Sequence, residues 1–297
     1  MSVPQTYPLR LAVVFATLGR AEVLCQNIHR LTRQTRSPDM VVVSAVGPTD
    51  TIGIEQCPIA VETLYGSKGS CIQRNRALDY IGDRSDIVLF IDDDFFPADD
   101  YLEQTMRVFE SDPGIAGTTG RMIADGIKTP GYTMEQAAAM LAADIPPLET
   151  KLTPRTTLYG CNMAVRLSTL GDLRFDEHLP LYGWLEDLDL TFRLSKRATL
   201  ISTEAISGVH LGVKGGRTSG LRFGYSQIAN PLYMLRRGTI PKKLAWERMI
   251  RNFVSNVALS ARPEPYVDRL GRLRGNMRAI GDALTGRLDP ERILMMD

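Results

Sequence analysis

The sequence predicts an α/β protein built on a mostly parallel central sheet with helices on both faces. Three observations predict it. Short apolar runs rich in valine and isoleucine recur at 9–16, 40–46, 59–64, 87–91 and 115–121, and continuous runs are what strands buried on both faces require. Segments with helical spacing lie between them. Two runs stop abruptly at polar or acidic groups, Thr17 to Arg20 and Asp92 to Asp94, and open α/β sheets bind their ligands beyond such carboxyl ends.

In chain order, 9–16 forms a first strand closed by Thr17-Leu18-Gly19-Arg20. Val23, Leu24, Ile28 and Leu31 then fall near helical spacing over 21–35, with Pro38 beyond the end. A second strand at 40–46 is broken by Gly47-Pro48. A third strand is expected at 59–64, and 70–81 reads as a helix after the Lys68-Gly69 turn. The clearest buried strand is Ile-Val-Leu-Phe-Ile at 87–91, which ends at three consecutive aspartates. A helix over 99–110 and a strand over 115–121 follow. Residues 125–157 carry Pro130, Pro146, Pro147 and Pro154 and are expected to be loop. Then come a strand at 162–166, a helix at 186–196, a strand at 199–203 and an irregular glycine-rich stretch at 212–220. From Pro241 the chain turns helical, with Thr239 as cap and Leu244, Met249, Ile250, Phe253, Val254 and Val257 on one face.

The chain has 297 residues, 44% hydrophobic and 23% charged, which excludes disordered, collagen-like and coiled-coil classes. Its longest uncharged stretch, Phe223 to Leu235, has 13 residues, short of the ~20 that a spanning helix needs. The first residues lack the basic start and apolar core of a secretory signal, so a cytoplasmic location is expected. Cys25, Cys57, Cys71 and Cys161 form no C-x-x-C pair, which argues against a disulfide framework or a zinc knuckle. A net charge of +1 predicts no nucleic-acid partner, yet residues 236–297 alone carry 13 Lys and Arg against 7 Asp and Glu.

The carboxylates carry the chemistry. Asp92, Asp93 and Asp94 follow a buried strand, where three adjacent negative charges need neutralising. A divalent cation does this, with Asp92 and Asp94 as ligands, and Mg²⁺ or Mn²⁺ suits such oxygens better than zinc. An acidic turn capping the next helix is the plainer alternative. Glu186 and Asp187 follow Gly183-Trp184; they suit a helix start, and Asp187 also suits a general base if the fold sets it opposite the first cluster. Trp184 offers a flat wall for a sugar ring. His210, followed by Lys214 and Arg217, fits a metal ligand with cations that hold phosphate, or a structural histidine. Arg74-Asn75 offers a guanidinium to a phosphate or base edge, or is a surface charge.

Together these motifs resemble a family 2 glycosyltransferase with the GT-A fold over residues 10–235. The likeness rests on order: Thr17 and Arg20, Arg74 and Asn75, Asp92-Asp93-Asp94, Gly160-Cys161-Asn162-Met163, Glu186 and Asp187, then His210. The resemblance implies a GT-A catalytic domain over 1–235, with a donor half at about 1–122 and an acceptor half at about 123–235; the basic helical region over 236–297 lies outside it. It implies a nucleotide-diphosphate sugar donor, UDP first, with GDP and dTDP open. Thr17, Arg20, Asp50, Lys68, Arg74, Asp92, Asp93, Lys214 and Arg217 would hold this donor. Asp94, Asp92 and His210 would hold Mn²⁺ or Mg²⁺. Asp187, supported by Glu186, would deprotonate an acceptor hydroxyl and invert the anomeric centre, with Trp184, Gly183 and Asn162 on the acceptor side. Where the family often carries an acidic turn contacting the nucleobase, this chain has Ala45 and Val46, and only Asp50 nearby. The acceptor class implied is a glycan or a lipid-linked glycan.

A non-catalytic sugar-nucleotide binder and a metal-dependent phosphohydrolase or nucleotidyltransferase stand as alternatives. No G-x-G-x-x-G follows the first strand and no P-loop is present. The basic C-terminal region is expected either to pack on the catalytic domain, to touch an anionic membrane, or to form an oligomer contact.

Overall fold

The structure, a computed structural model, describes residues 9–145, 151–215, 218–262 and 264–296. Its strands are β1 (Leu11–Ala16), β2 (Met40–Ala45), β3 (Glu62–Tyr65), β4 (Ile87–Ile91), β5 (Phe95–Pro97), β6 (Ile115–Asp125), β7 (Thr153–Arg155), β8 (Asn162–Arg166) and β9 (Thr199–His210). The helices are α1 (Ala21–Arg30), α2 (Ser70–Ile81), α3 (Tyr101–Ser111), α4 (Met134–Ala143), α5 (Leu167–Leu170), α6 (Glu186–Leu194), α7 (Gly220–Arg237), α8 (Lys242–Ser260) and α9 (Arg269–Leu284).

All strands share one sheet in the order β3-β2-β1-β4-β8-β6-β9-β5, with β7 on β9. β1, β2, β3 and β4 pair in parallel, as do β6 and β9, whereas β8 runs antiparallel between β4 and β6. β5 and β7 run against β9. The sheet is therefore mixed and mostly parallel, and among the described residues six of its nine strands point the same way.

Side-chain alternation divides the core between the two faces. Leu11, Val13 and Phe15 of β1 join Leu89 and Ile91 of β4 beneath Leu24 and Ile28 of α1 and Met106 and Phe109 of α3. Ala12, Val14, Val88 and Phe90 face the other way, against Ala77, Leu78 and Ile81 of α2 and Leu190 and Leu194 of α6. Every residue of β4 is buried, which explains why its sequence shows no polar alternation.

Three expectations need correcting. Residues 125–157 are not all loop: they include α4, which starts at a capping box made by Thr133 and Gln136, and β7. Pro146 and Pro147 lie outside the described residues. Thr239 does not cap α8; Pro241 occupies that position, and the Thr239 hydroxyl bonds back to the Met234 carbonyl. Finally, the apolar face expected on α8 is divided. Met249 is buried with Ala245 and Asn256, while Ile250, Val254 and Val257 face outward.

The C-terminal helices pack together with α7, which begins before residue 236. Tyr225, Ile228, Met249, Ala279, Ile293 and Met296 share one apolar cluster. α7 and α9 touch backbone to backbone: a Cβ at Gly224 would lie 2.1 Å from the Arg272 carbonyl oxygen, and one at Gly275 would lie 2.1 Å from that of Leu221. Gly275→Ala is therefore expected to push the helices apart and destabilise the fold by about 1–3 kcal/mol, the usual cost of overpacking, read as a lower denaturation midpoint. Beside this crossing a closed polar knot links the Asn256 amide to Gln227 and Asn276, each at 2.8 Å.

Candidate active site

The carboxyl ends of β1, β4 and β9 and the start of α6 converge on one acidic centre. Asp92, Asp93 and Asp94 leave β4, and the Asp92 N–H donates to the Cys161 carbonyl at 3.0 Å. The Thr17 hydroxyl, just past β1, donates to Asp93 at 2.7 Å. Arg20 reaches Asp93 at 2.8 Å and Asp94 at 3.3 Å, and donates to the Val213 and Gly215 carbonyls. Arg20 thus ties the loop after β9 onto the aspartates. Burial opposes the charge on Asp93 and pushes its pKa up to about 6 against the pull of Arg20.

His210 ends β9 between two acids. Its Nε2 lies 3.3 Å from Asp94 and its Nδ1 lies 3.1 Å from Asp125. Burial works against the imidazolium, but Asp125 and Asp94 outweigh it and push the His210 pKa up to about 10. Burial likewise opposes the Asp94 charge, yet His210 and Arg20 hold it below the usual carboxylate range. Asp92, Asp94 and His210 each offer one ligand atom, all within 4.8 Å of one another. Two hard oxygens and one imidazole nitrogen fit Mn²⁺ or Mg²⁺. Asp125 supplies what a ligating histidine needs, an acceptor on its other ring nitrogen that fixes which nitrogen faces the site.

Arg74 joins this centre to the second acidic pair. It is buried on α2, and its guanidinium donates to Glu186 at 2.7 Å, to Asp92 at 3.0 Å and to the Gly160 carbonyl at 3.2 Å. Burial opposes its charge, but Glu186 and Asp92 raise its pKa above the ordinary value. Arg74→Met should strand the buried Glu186 carboxylate, and the partly buried Asp92 with it, and destabilise the protein by about 3–5 kcal/mol, the usual cost of breaking a buried pair from one side. Urea denaturation reads this directly.

Asp187 is held from behind. Its carboxylate accepts from the Gly160 N–H at 2.7 Å and the Leu188 N–H at 2.8 Å. Burial raises its pKa despite these bonds. Glu186 is pushed up to about 7, by burial first and by Asp187 second, against Arg74. The segment delivering both acids is strained: Leu181 and Leu185 have φ of +60° and +75°, a region that costs a branched residue of order 1–3 kcal/mol. Its surroundings enforce it. The Leu181 carbonyl accepts from Ser70 N–H, and the Trp184 carbonyl accepts from the Asn230 amide of α7 at 2.8 Å. Gly183 sits at φ +71°, a left-handed conformation that favours glycine, and a Cβ there would crowd Cys71 Sγ at 3.2 Å.

The remaining expected residues are placed as follows. Asp50 accepts from Gly19, Val46 and Gly47 N–H groups and so holds the Thr17–Arg20 loop against the end of β2. Lys68 is exposed in the turn before α2. The Lys214 ammonium donates to the Gly126 and Ile127 carbonyls and sits over the Tyr266 ring. Asn162 is buried, bonded to Thr119 at 2.6 Å. Trp184 packs edge-on against Phe223. Arg217 lies outside the described residues. Asp125, the partner of His210 in this candidate site, is the residue that sequence reasoning missed; it ends an eleven-residue strand with no local motif around it.

A search of solved structures finds this arrangement of elements again. A mannosyltransferase from Pyrobaculum calidifontis, in complex with GDP-Man and Mn²⁺, aligns over 97% of this chain and 86% of its own, at 15% identity and a TM-score of 0.57. This chain has the GT-A fold. S. aureus TarS 1-349 shares it over 94% of this chain and 92% of its own, at 14% identity and a TM-score of 0.55. A mycobacterial protein does so over 79% and 76%, at 17% identity and a TM-score of 0.52. No family model and no curated protein matches the sequence. Within the GT-A fold of this chain, the aspartates after β4, His210 at the end of β9 and the Glu186-Asp187 pair at the start of α6 lie along one edge of the sheet.

Proposed function

We propose that the protein is an inverting glycosyltransferase that moves a sugar from a nucleotide-diphosphate donor to a hydroxyl of a glycan or lipid-linked glycan acceptor. One observation carries this reading: a single buried guanidinium, Arg74, links the candidate metal group at Asp92 to the candidate base segment at Glu186. The proposed leaving-group site and the proposed base would thereby be held in register, as a displacement at one carbon requires.

Asp92, Asp94 and His210 would hold Mn²⁺ or Mg²⁺, which when bound neutralises charge on the departing diphosphate. The acceptor oxygen attacks the anomeric carbon as its proton passes to the Asp187 carboxylate. The bond from that carbon to the phosphate oxygen breaks, and its electron pair leaves with the nucleoside diphosphate. One displacement inverts the configuration. Backbone N–H groups of Gly160 and Leu188 keep Asp187 in place, and Arg74 keeps Glu186 beside it as support. Thr17, Arg20 and Asp50 shape the donor pocket by bracing its loops. Lys68, Lys214 and Arg217 are the cations proposed for the diphosphate and Trp184, Gly183 and Asn162 the acceptor-side groups. The GDP-Man complex of the structural neighbour places GDP beside UDP among the donors to test.

Melting curves with UDP-, GDP- and dTDP-sugars, each with Mn²⁺ and with EDTA, test the reading. A metal-dependent rise with one nucleotide is expected. Phosphate release without any acceptor, at a rate no acceptor changes, would favour the phosphohydrolase instead.

A further inference from the structure

The face of α8 turned away from the protein is apolar, and nothing in the proposed reaction uses it. Trp246, Ile250, Val254 and Val257 are 54%, 57%, 56% and 47% exposed. They recur at spacings of four, four and three, so they form one stripe along the helix. The inward face holds Ala245, Met249 and Asn256. This helix is therefore apolar on two sides, and packing among the described residues accounts for only one. Scattered exposed apolar residues need no explanation, but a continuous stripe headed by a tryptophan does.

Charge decides what fits there. α8 carries Lys242, Lys243, Arg248 and Arg251 against a single acid, Glu247. Lys242, Lys243 and Arg251 are exposed. On α9, exposed Met277 lies between exposed Arg274 and Arg278. The acids of this region are largely spent elsewhere. Glu264 pairs with Arg269, Asp268 caps α9, and Asp282 accepts from Tyr225 and faces Arg292. Two copies of the stripe brought together would set lysines and arginines against their own kind. An anionic lipid surface takes the apolar residues into its headgroup boundary and the cations at its phosphates. No described helix is long and apolar enough to cross a membrane, so contact of this kind lies along the surface.

We infer that the outward face of α8, Trp246 to Val257 with Lys242 and Lys243 at its head, docks the protein on an anionic lipid bilayer. Docking there has a consequence for the site. The start of α8 shares an apolar cluster with Leu185 and Leu188, beside Trp184, so the segment that presents Glu186 and Asp187 is held next to the bound helix.

Vesicle sedimentation of the full chain tests this without reference to catalysis. The protein is mixed with vesicles of phosphatidylcholine alone, or of phosphatidylcholine with an equal part of phosphatidylglycerol. Pelleting with the anionic vesicles only is expected, weakened by salt. Lys242→Gln with Lys243→Gln should weaken it roughly 30-fold, each basic residue near such a surface being worth a factor of about five. Trp246→Glu with Ile250→Glu should abolish it while leaving the melting temperature unchanged, because both positions face solvent. Absence of pelleting with anionic vesicles, equal pelleting with neutral ones, or pelleting that survives the glutamates would overturn the inference. So would a dimer, seen by light scattering, that the two glutamates split, since the face would then be an interface between copies.

Discussion

Asp187→Asn is expected to leave donor binding intact and to slow sugar transfer by about 10²–10⁴-fold, the range a positioned base contributes. The substitution keeps the side-chain shape. It removes only the capacity to take a proton and one acceptor for the Gly160 or Leu188 N–H. The pH profile supplies a second reading. The base works ionised, and burial raises its pKa, so activity should fall on the acid side along a limb that lies above the ordinary aspartate range. That limb should be missing from the residual activity of the variant. Full activity in Asp187→Asn would remove this residue as the base and turn attention to Glu186.

Asp94→Ala should lower Mn²⁺-dependent donor binding by at least about 100-fold, because loss of even an outer partner of a metal ligand costs 10–100-fold. Asp94 is one of three groups that converge within 4.8 Å. It also fixes the Val213 N–H at 2.9 Å and one arm of Arg20, so the loop after β9 should loosen with it. Titration calorimetry with and without Mn²⁺ separates the two effects, and binding unchanged by the substitution would exclude the metal role. Without metal, the same centre makes stability depend on pH. His210 has its pKa raised from 6.5 to about 10, so its share of stability is complete below about 6.5 and is lost as pH rises through about 10. Asp94→Ala should shrink that alkaline loss.

Much of this was legible in the sequence because several elements depend on nearby residues alone. β4 is read from five consecutive apolar residues, and α2 and β8 fall on their expected ranges. The acidic groups were legible because strand ends mark where ligands bind. Other features depend on contacts far along the chain. Arg74 and Glu186 are 112 residues apart, so a helix pattern that offers the guanidinium to a phosphate or to solvent does not show that two carboxylates also share it. Asp125 meets His210 across 85 residues. α7 was hidden by Gly224 and Pro231, which break isolated helices but sit here where α9 approaches and where the helix is buried. α4 was hidden by the prolines that follow it, although Thr133 and Gln136 already spelled its capping box. The divided face of α8 could not be foreseen, because periodicity reports that a helix is apolar and not how many partners it has.

The position of β8 bears on how the chain comes off the ribosome. β4 lies between β1 and β8, and β8 is not reached until Asn162. Through the intervening synthesis, the most apolar strand of the protein has one hydrogen-bonding edge open and nothing to close it. Such edges recruit other chains. A nascent chain stalled before Asn162, or a fragment ending near residue 122, should therefore aggregate or occupy a chaperone. The residues proposed for the donor and those proposed to present the base then become soluble together, in a single late step that zips β8 between its neighbours.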